Sequence, residues 1–299
     1  MLRIIFYYFW EFSSLVESLE VGLFRGCIIP YRFNQYEKSA RVILNHFGVE
    51  IVDVEGFTCC GSLMAESANE ELFLTIAGRN LAVADESKLP ILTLCGSCTA
   101  TLNSVRNLLL KDLEKNQKIN DILALIGRKF SGISKVKHIS DFLLNDIGLE
   151  KIKENIVRDL SSLKVAVQTP CQIIRPPSES LEMETYDFVR LVETCGVEVV
   201  DYEGGFRCCG STLLPLNKPL ALELGRSRIE EALKAGADLL VIGCGNCASM
   251  FDVYQNVIDL PKKLPVLFFT QLIGYALGYS IKELGMDRNY IFEPLKIIK

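Results

Sequence analysis

The sequence predicts an α/β protein built from two pseudo-symmetric repeats, each a small, mostly parallel sheet flanked by helices. Two observations lead to this prediction: a set of cysteines recurs along the chain at a nearly fixed offset, and short apolar runs alternate with amphipathic stretches in both copies. Alternating strands and helices favour parallel pairing, with ligand sites at the carboxyl ends of the strands. Four cysteines stand just after predicted strands, so we expect the bound groups at that edge of each sheet.

The predicted elements occur in the same order in both copies. The first copy is predicted to contain strands at 21–24, 50–54 and 91–94 and helices at 37–47, 70–86 and 101–113. The second copy is predicted to contain strands at 165–168, 198–202 and 239–242 and helices at 186–194, 220–234 and 248–258. The uncharged stretch 264–281 is interpreted as a buried strand, turn and helix, because it barely reaches the ~20 residues that a membrane span needs.

The repeat is clearest in the cysteines. Four cysteines of the first copy reappear 149 residues later, and a fifth reappears 144 residues later. The first set is Cys27, Cys59, Cys60, Cys95 and Cys98, and the second is Cys171, Cys208, Cys209, Cys244 and Cys247. The surrounding residues match as well, except that Gly205 is inserted before the second cysteine pair. We therefore predict an N-terminal extension at 1–20, repeats at 21–148 and 164–299, and a linker at 149–163.

Composition excludes several classes of function. The chain has 299 residues, of which 49% are hydrophobic and 23% charged, as expected for a folded protein with a substantial core. The net charge of −5 and the pI of about 5.3 argue against a nucleic-acid-binding surface. The aromatic opening shows no secretory cleavage pattern, so the eleven cysteines are expected to be reduced thiols in a cytoplasmic protein. Peripheral membrane contact is the less favoured alternative.

The spacing of the cysteines indicates metal or cluster ligation. Two Cys-x-x-Cys pairs allow two thiolates to reach one centre from a single turn, but zinc sites and thioredoxin-like redox sites share this spacing. The adjacent cysteine pairs, each followed by glycine, are more specific, because both thiols can serve one site only where the backbone turns. Five cysteines per copy exceed the four of a simple site. The alternative is that one cysteine of each adjacent pair packs in the core and is not a ligand.

The remaining candidate residues receive weaker assignments. Arg25 and Arg207 lie beside proposed ligand cysteines and are candidates for binding an anionic substrate, although a structural role is equally consistent with the sequence. Cys195 falls outside the repeated set and is expected to be a buried thiol at a helix end. His46 is expected at the surface, and neither His46 nor His138 is included in the predicted site.

The cysteine pattern closely resembles that of the CCG-domain (cysteine-rich) family, and within it the group of heterodisulfide reductase B subunits. The resemblance covers nearly the whole chain after residue 20 and includes the opening Gly26-Cys-Ile-Ile-Pro30 followed by Arg32. It implies that each five-cysteine set binds one noncubane 4Fe–4S cluster and that the two clusters act together on one disulfide. It further implies partners resembling the C subunit of such complexes, with cubane clusters, and the flavin-containing A subunit. No catalytic side chain beyond the ten cysteines is implied.

Two features leave the exact activity open. Gln168 and Gln172 stand where this family usually has histidines, and glutamine cannot deliver a proton at neutral pH. Related tandem-motif subunits also occur in succinate dehydrogenase, thiol-fumarate reductase and sulfur-oxidising complexes, where an electron-transfer role is the alternative. A zinc-binding folding module in one repeat is a further alternative.

Overall fold

The computed structural model describes residues 19–174 and 183–292. The predicted N-terminal extension lies almost entirely outside these ranges, since only its last two residues are described and they begin the first strand. The proposed division into extension, repeats and linker remains a prediction.

Eight strands form two parallel four-stranded sheets of the same topology. The first sheet has the order β2-β1-β3-β4 and contains β1 (Leu19–Phe24), β2 (Val49–Val52), β3 (Ile91–Thr93) and β4 (Val136–His138). The second has the order β6-β5-β7-β8 and contains β5 (Lys164–Gln168), β6 (Glu198–Val199), β7 (Leu239–Ile242) and β8 (Val266–Phe268). The predicted fold class is therefore confirmed, with fully parallel sheets.

Helices cover the sheets and connect the strands. The first repeat contains α1 (Ile28–Arg32), α2 (Asn34–His46), α3 (Ser62–Ala68), α4 (Glu70–Ser87), α5 (Gly96–Lys111), α6 (Leu113–Ala124), α7 (Ile139–Asp141) and α8 (Leu149–Glu154). A π-helical segment, Phe142–Gly148, joins α7 to α8. The second repeat contains α9 (Cys171–Ile174), α10 (Asp187–Glu193), α11 (Lys218–Lys234), α12 (Gly245–Ala248), α13 (Phe269–Ala276) and α14 (Ile281–Leu284).

Several boundaries differ from the sequence prediction for local reasons. Helix α5 begins at Gly96, five residues before the predicted start, because the extended backbone of Cys95 forms its N-cap. The predicted helix at 248–258 instead starts at Gly245 and continues as π-helix and 3₁₀ turns, Ser249–Val253 and Tyr254–Asn256. Strand β6 has only two residues, since the chain then turns inward toward β5. Helix α6 and strand β4 were not predicted, and β4 is too short to show an alternating pattern.

The apolar stretch at 264–281 has the predicted buried strand and helix. Strand β8 is fully buried, and every residue of α13 is also buried. Within the ranges that the structure covers, no helix has the length and hydropathy needed to cross a membrane.

The two repeats share one hydrophobic core. Tyr36 of α2 stacks on Phe268 of β8 with ring centroids 4.1 Å apart, and its hydroxyl donates a hydrogen bond to the Gly243 carbonyl at 3.2 Å. Ser39 of α2 also pairs with Thr270 of α13 at 2.7 Å. These buried contacts join the carboxyl ends of the two sheets and fix the positions of the cysteines that follow the strands.

Candidate iron–sulfur site

The cysteines after the strands lie at the carboxyl ends of the strands, as predicted, and the structure shows that they also stand at the beginnings of helices. Cys95 and Cys244 are the N-cap residues of α5 and α12, so Cys98 and Cys247 lie in the first turns of those helices. Gly26 precedes Cys27 and has a φ of +63°. A Cβ atom on Gly26 would lie 3.1 Å from Cys98 Sγ, so this glycine lets the first cysteine loop approach the Cys-x-x-Cys helix.

Glycine ends both adjacent-cysteine turns in a left-handed conformation. Gly61 has a φ of +89° and Gly210 a φ of +82°. The backbone N–H of Gly61 points at Cys59 Sγ (N to S, 3.5 Å), and that of Gly210 points at Cys208 Sγ (3.4 Å). Each turn therefore directs a backbone donor at the first sulfur of its pair, and this arrangement stabilises a thiolate.

The ten repeated cysteines form one connected series of thiols. In the first repeat Cys59 Sγ lies 3.6 Å from Cys27 Sγ, and across the repeats Cys95 Sγ lies 3.7 Å from Cys244 Sγ. Neighbouring thiols interact throughout the series. Its order is Cys27, Cys59, Cys60, Cys98, Cys95, Cys244, Cys247, Cys209, Cys208 and Cys171. The Cys95–Cys244 contact joins the two five-cysteine halves.

Contacts between thiols shift their protonation. The hydrogen bond between Cys59 and Cys27, with help from Cys60 and the Gly61 amide, lowers the pKa of Cys59 to about 2. The same contact raises the pKa of Cys27. The hydrogen bond with Cys59, together with burial, raises the pKa of Cys60 to about 11. Hydrogen bonds from neighbouring thiols likewise lower the pKa of Cys244, so Cys59 and Cys244 favour the thiolate form, and a bound metal displaces the protons of the other thiols.

The donor set fits a polynuclear iron–sulfur group. All eleven cysteines are free thiols, and the ten in the series include buried and exposed members. Among the described residues, no three Cys, His, Asp or Glu side chains converge on the position of one metal ion. Cysteine thiolates are the usual ligands of iron–sulfur clusters, so this series of thiols is a donor set of the kind that such clusters use.

A different buried amide supports each cysteine pair, a structural role that the sequence did not reveal in either repeat. In the first repeat, Asn80 of α4 accepts from the Thr58 N–H (2.8 Å) and donates to the Cys59 carbonyl (3.0 Å). In the second, Gln168 at the end of β5 donates to the carbonyls of Gly205 (3.2 Å) and Arg207 (2.8 Å). Gln168 therefore has a structural role in holding the second cysteine turn.

Replacing either amide is expected to affect only the cysteine turn that it supports. Asn80→Ala leaves buried backbone groups of the first turn unpaired, and Gln168→Ala does the same in the second, so each change costs about 2–3 kcal/mol of stability. We expect iron loss from the corresponding repeat only, measured by iron analysis and thermal melting. Gln255→Ala is the control, because Gln255 is also buried and bonds backbone groups but lies away from both turns. Equal iron loss in all three variants would contradict this prediction.

The two arginines proposed for substrate binding both have acidic partners. Arg25 lies 3.6 Å from Glu37, and Arg207 pairs with Glu203. Both guanidinium groups are about half exposed, with side-chain exposures of 48% and 49%. Their role in substrate binding remains a prediction. Gln172 of α9 is half-buried beside Cys171.

The residues left outside the site have the following environments. Cys195 is fully buried just after α10, and burial raises its pKa to about 12. His46 ends α2, where its Nδ1 lies 3.1 Å from the Tyr279 hydroxyl, and it is half-buried. His138 is buried at the end of β4, and its Nδ1 accepts from the Ser140 N–H at 3.3 Å. Burial lowers the pKa of His138 to about 4, so its imidazole is neutral near pH 7.

The fold and the thiol series together define an iron–sulfur protein with two cysteine-rich repeats. The family model "Cysteine-rich domain" (CCG) matches residues 21–103 and 165–252. The chain therefore belongs to the CCG cysteine-rich domain family.

Its relatives over nearly the full length are reductase subunits. The chain is 32% identical over 282 residues to the B subunit of the ferredoxin:CoB-CoM heterodisulfide reductase of Methanosarcina mazei, a match that covers 91% of this chain and 94% of that protein. It is 31% identical over 279 residues to the 8-methylmenaquinol:fumarate reductase membrane anchor subunit of Wolinella succinogenes, a match that covers 91% of this chain and 97% of that protein. The resemblance to the B subunits of heterodisulfide reductases is thus confirmed.

A solved structure supports the fold. The crystal structure of a hypothetical protein from Helicobacter pylori superposes with a TM-score of 0.76 at 16% sequence identity, covering 92% of this chain and 52% of that one. At this identity the match supports the α/β architecture alone.

Proposed function

We propose that this chain is the disulfide-reducing subunit of a heterodisulfide reductase-type complex. The observation that carries the proposal is the 3.7 Å contact between Cys95 Sγ and Cys244 Sγ, which brings the two five-cysteine sets together across the repeats. A disulfide bound at this junction would contact both halves of the protein. The similarity to the heterodisulfide reductase B subunit of Methanosarcina mazei over nearly the full length supports the same assignment.

The ten cysteines are proposed to hold two noncubane 4Fe–4S clusters, five thiolates to each. When bound, these clusters supply electrons one at a time, and cleavage of a disulfide needs two. The balanced reaction is R–S–S–R′ + 2 e⁻ + 2 H⁺ → RSH + R′SH. Electrons come from partners resembling the C subunit of such complexes, with cubane clusters, and the flavin-containing A subunit.

The chain's own residues limit the possible sources of the two protons that this reaction consumes. Gln168 is occupied with two backbone carbonyls, and His138 is buried and neutral near pH 7, so neither delivers the protons. We propose that water at the carboxyl ends of the strands supplies them. The coenzyme M–coenzyme B heterodisulfide is the proposed substrate.

The test combines metal analysis, spectroscopy and turnover on the anaerobically purified chain. We expect about eight irons per chain, an electron paramagnetic resonance signal induced by coenzyme M or coenzyme B, and heterodisulfide cleavage driven by a reduced viologen dye. Substantial zinc would support a zinc-binding folding module in one repeat. Intact clusters with neither a thiol-induced signal nor cleavage would overturn the proposed activity.

A second candidate function is electron transfer in a fumarate reductase-type complex. It is favoured by the 31% identity to the protein from Wolinella succinogenes, which is named as a membrane anchor. In that case the purified chain would exchange electrons with donor and acceptor proteins but would not cleave a disulfide. Fractionation with and without its partner subunits distinguishes a membrane-associated complex from the cytoplasmic one proposed first.

A further inference from the structure

A cleft of about 540 Å³ opens between the two repeats beside both cysteine sets. Six of its lining residues lie within two positions of a proposed ligand: Ile28, Ser62 and Ser97 in the first repeat, and Ser211, Asn246 and Ser249 in the second. Both repeats therefore contribute to its walls. The size suits a small molecule, since ligand pockets usually have volumes of about 300–1,000 Å³.

Arg32 is the only charged side chain among the described residues that line the cleft. The other lining side chains are hydroxyl-bearing, amide or apolar. Apolar residues stand on both sides of the opening, where Met64 is 47% and Leu216 is 73% exposed. Lys218 lies near the Tyr254 ring, 5.7 Å from its centroid, but does not line the cleft. The walls thus combine one cation with neutral and apolar surface.

Arg32 also has no hydrogen-bonding or ionic partner within the part of the chain that the structure describes. Among the arginines in 19–174 and 183–292, it alone forms no hydrogen bond or ion pair with a described residue. The other eleven each bond a carboxylate, a backbone carbonyl or an amide oxygen, namely Arg25, Arg41, Arg79, Arg106, Arg128, Arg158, Arg190, Arg207, Arg226, Arg228 and Arg288. The Arg32 guanidinium is therefore available to a ligand in the cleft.

Arg25, one of the two arginines that the sequence suggests for substrate binding, does not line this cleft. It lines a separate cavity of about 710 Å³ on the first repeat, together with Asp53 and Glu55, and it pairs with Glu37. An anionic ligand would meet carboxylates in that cavity. The cleft that contains Arg32 has no carboxylate in the part of its lining that the structure describes.

We propose that Arg32 is the anion-recognition residue of the substrate cleft and that the substrate carries an anionic group on an apolar body. This inference rests on the proposed function, because it takes the cleft beside the cysteines as the site of the disulfide. A guanidinium binds the oxygens of a carboxylate, sulfonate or phosphate through two parallel N–H donors. The apolar walls favour a hydrocarbon segment between that anion and the sulfur.

The test is isothermal titration of the cluster-loaded full chain with hexane-1-sulfonate, which has no reactive sulfur, and with hexan-1-ol as its neutral counterpart. We expect the sulfonate to bind more tightly than the alcohol, with affinity falling roughly three- to fourfold for each methylene removed. Arg32→Gln is expected to weaken sulfonate binding roughly tenfold or more, while leaving binding of the alcohol unchanged. Arg32→Lys should lose only part of the affinity, since it keeps the charge without the planar fork.

Arg226→Gln is the charge-matched control, because Arg226 lies on α11, pairs with Glu230 and does not line the cleft. It should bind both probes as the wild type does. The proposal is overturned if Arg32→Gln binds hexane-1-sulfonate normally, if it loses both probes equally or loses iron, or if Arg25→Gln is the variant that loses the anion. The proposed function is tested separately by heterodisulfide cleavage. If the chain binds the sulfonate through Arg32 but does not cleave the heterodisulfide, the proposed anion site stands and the proposed disulfide reaction is rejected.

Discussion

Serine in place of Cys60 is expected to remove the iron of the first repeat, and serine in place of Cys209 that of the second. Both side chains are buried, with exposures of 3% and 4%, and each lies between two other thiols in the series. A serine hydroxyl is far harder to deprotonate than a thiol and is a poor ligand for iron in a cluster. We expect iron to fall from about eight to about four per chain in each single variant, and disulfide cleavage to fall to background.

The double variant, Cys60→Ser with Cys209→Ser, should retain almost no cluster iron. Cys195→Ala is the matched control, because Cys195 is a fully buried thiol outside the series. It should lose some stability while keeping its full iron content and activity. Full turnover by the double variant would reject the assignment of both cysteine sets, and loss of all iron in either single variant would reject two independent sites.

A methyl group at Gly245 is expected to separate the two repeats at the thiol junction. A Cβ atom there would lie 2.6 Å from Ile28 Cγ2 and 2.9 Å from Ile29 Cδ1, both on α1 of the other repeat. Gly245 is the first residue of α12, where alanine is otherwise the better helix former. The collision should therefore dominate, and we expect Gly245→Ala to cost about 1–3 kcal/mol, measured by chemical denaturation of the cluster-loaded chain.

A compensating change provides the control for this prediction. Ile28→Ala removes the nearer of the two methyl groups that the new Cβ would meet, so Gly245→Ala combined with Ile28→Ala should be more stable than the sum of the two single effects predicts. We also expect Gly245→Ala alone to lose some iron, because it disturbs the thiol junction, and we expect the double variant to retain more iron than Gly245→Ala does. Strictly additive effects would show that the destabilisation has another origin.

The cysteine repeat and the alternation of apolar runs with amphipathic stretches were together sufficient to predict the fold class, and the two sheets confirm it. Apolar runs at 21–24, 165–168 and 239–242 mark buried parallel strands, which have a continuous apolar signal. Strand β4 was missed because two of its three residues, Lys137 and His138, are polar, so it lacks the continuous apolar run that marked the equally short β3. The early start of α5 was missed because its N-cap is a cysteine, which has no characteristic capping signal.

The supporting residues of the site were harder to predict than the cysteines. Asn80 lies within a helix, where a single buried amide looks like any other polar residue until its distant partners are known. Gln168 was interpreted through a missing histidine, whereas its two bonds to backbone carbonyls give it a different role. Arg32 belongs to a recognisable motif, but the sequence cannot show that it lacks a polar partner among the described residues, because partners are set by the fold.

The packing between the repeats is reciprocal. The glycine of each Cys-x-x-Cys motif packs on the helix after the first cysteine of the other repeat: Gly245 meets Ile28, and Gly96 meets Ile173. At the centre, Cys95 touches its own counterpart, Cys244. This reciprocal pattern is that of an isologous dimer. Joining the two protomers of such a dimer into one chain would produce the same packing and would leave each copy free to differ in the residues that support its cysteines, as Asn80 and Gln168 do.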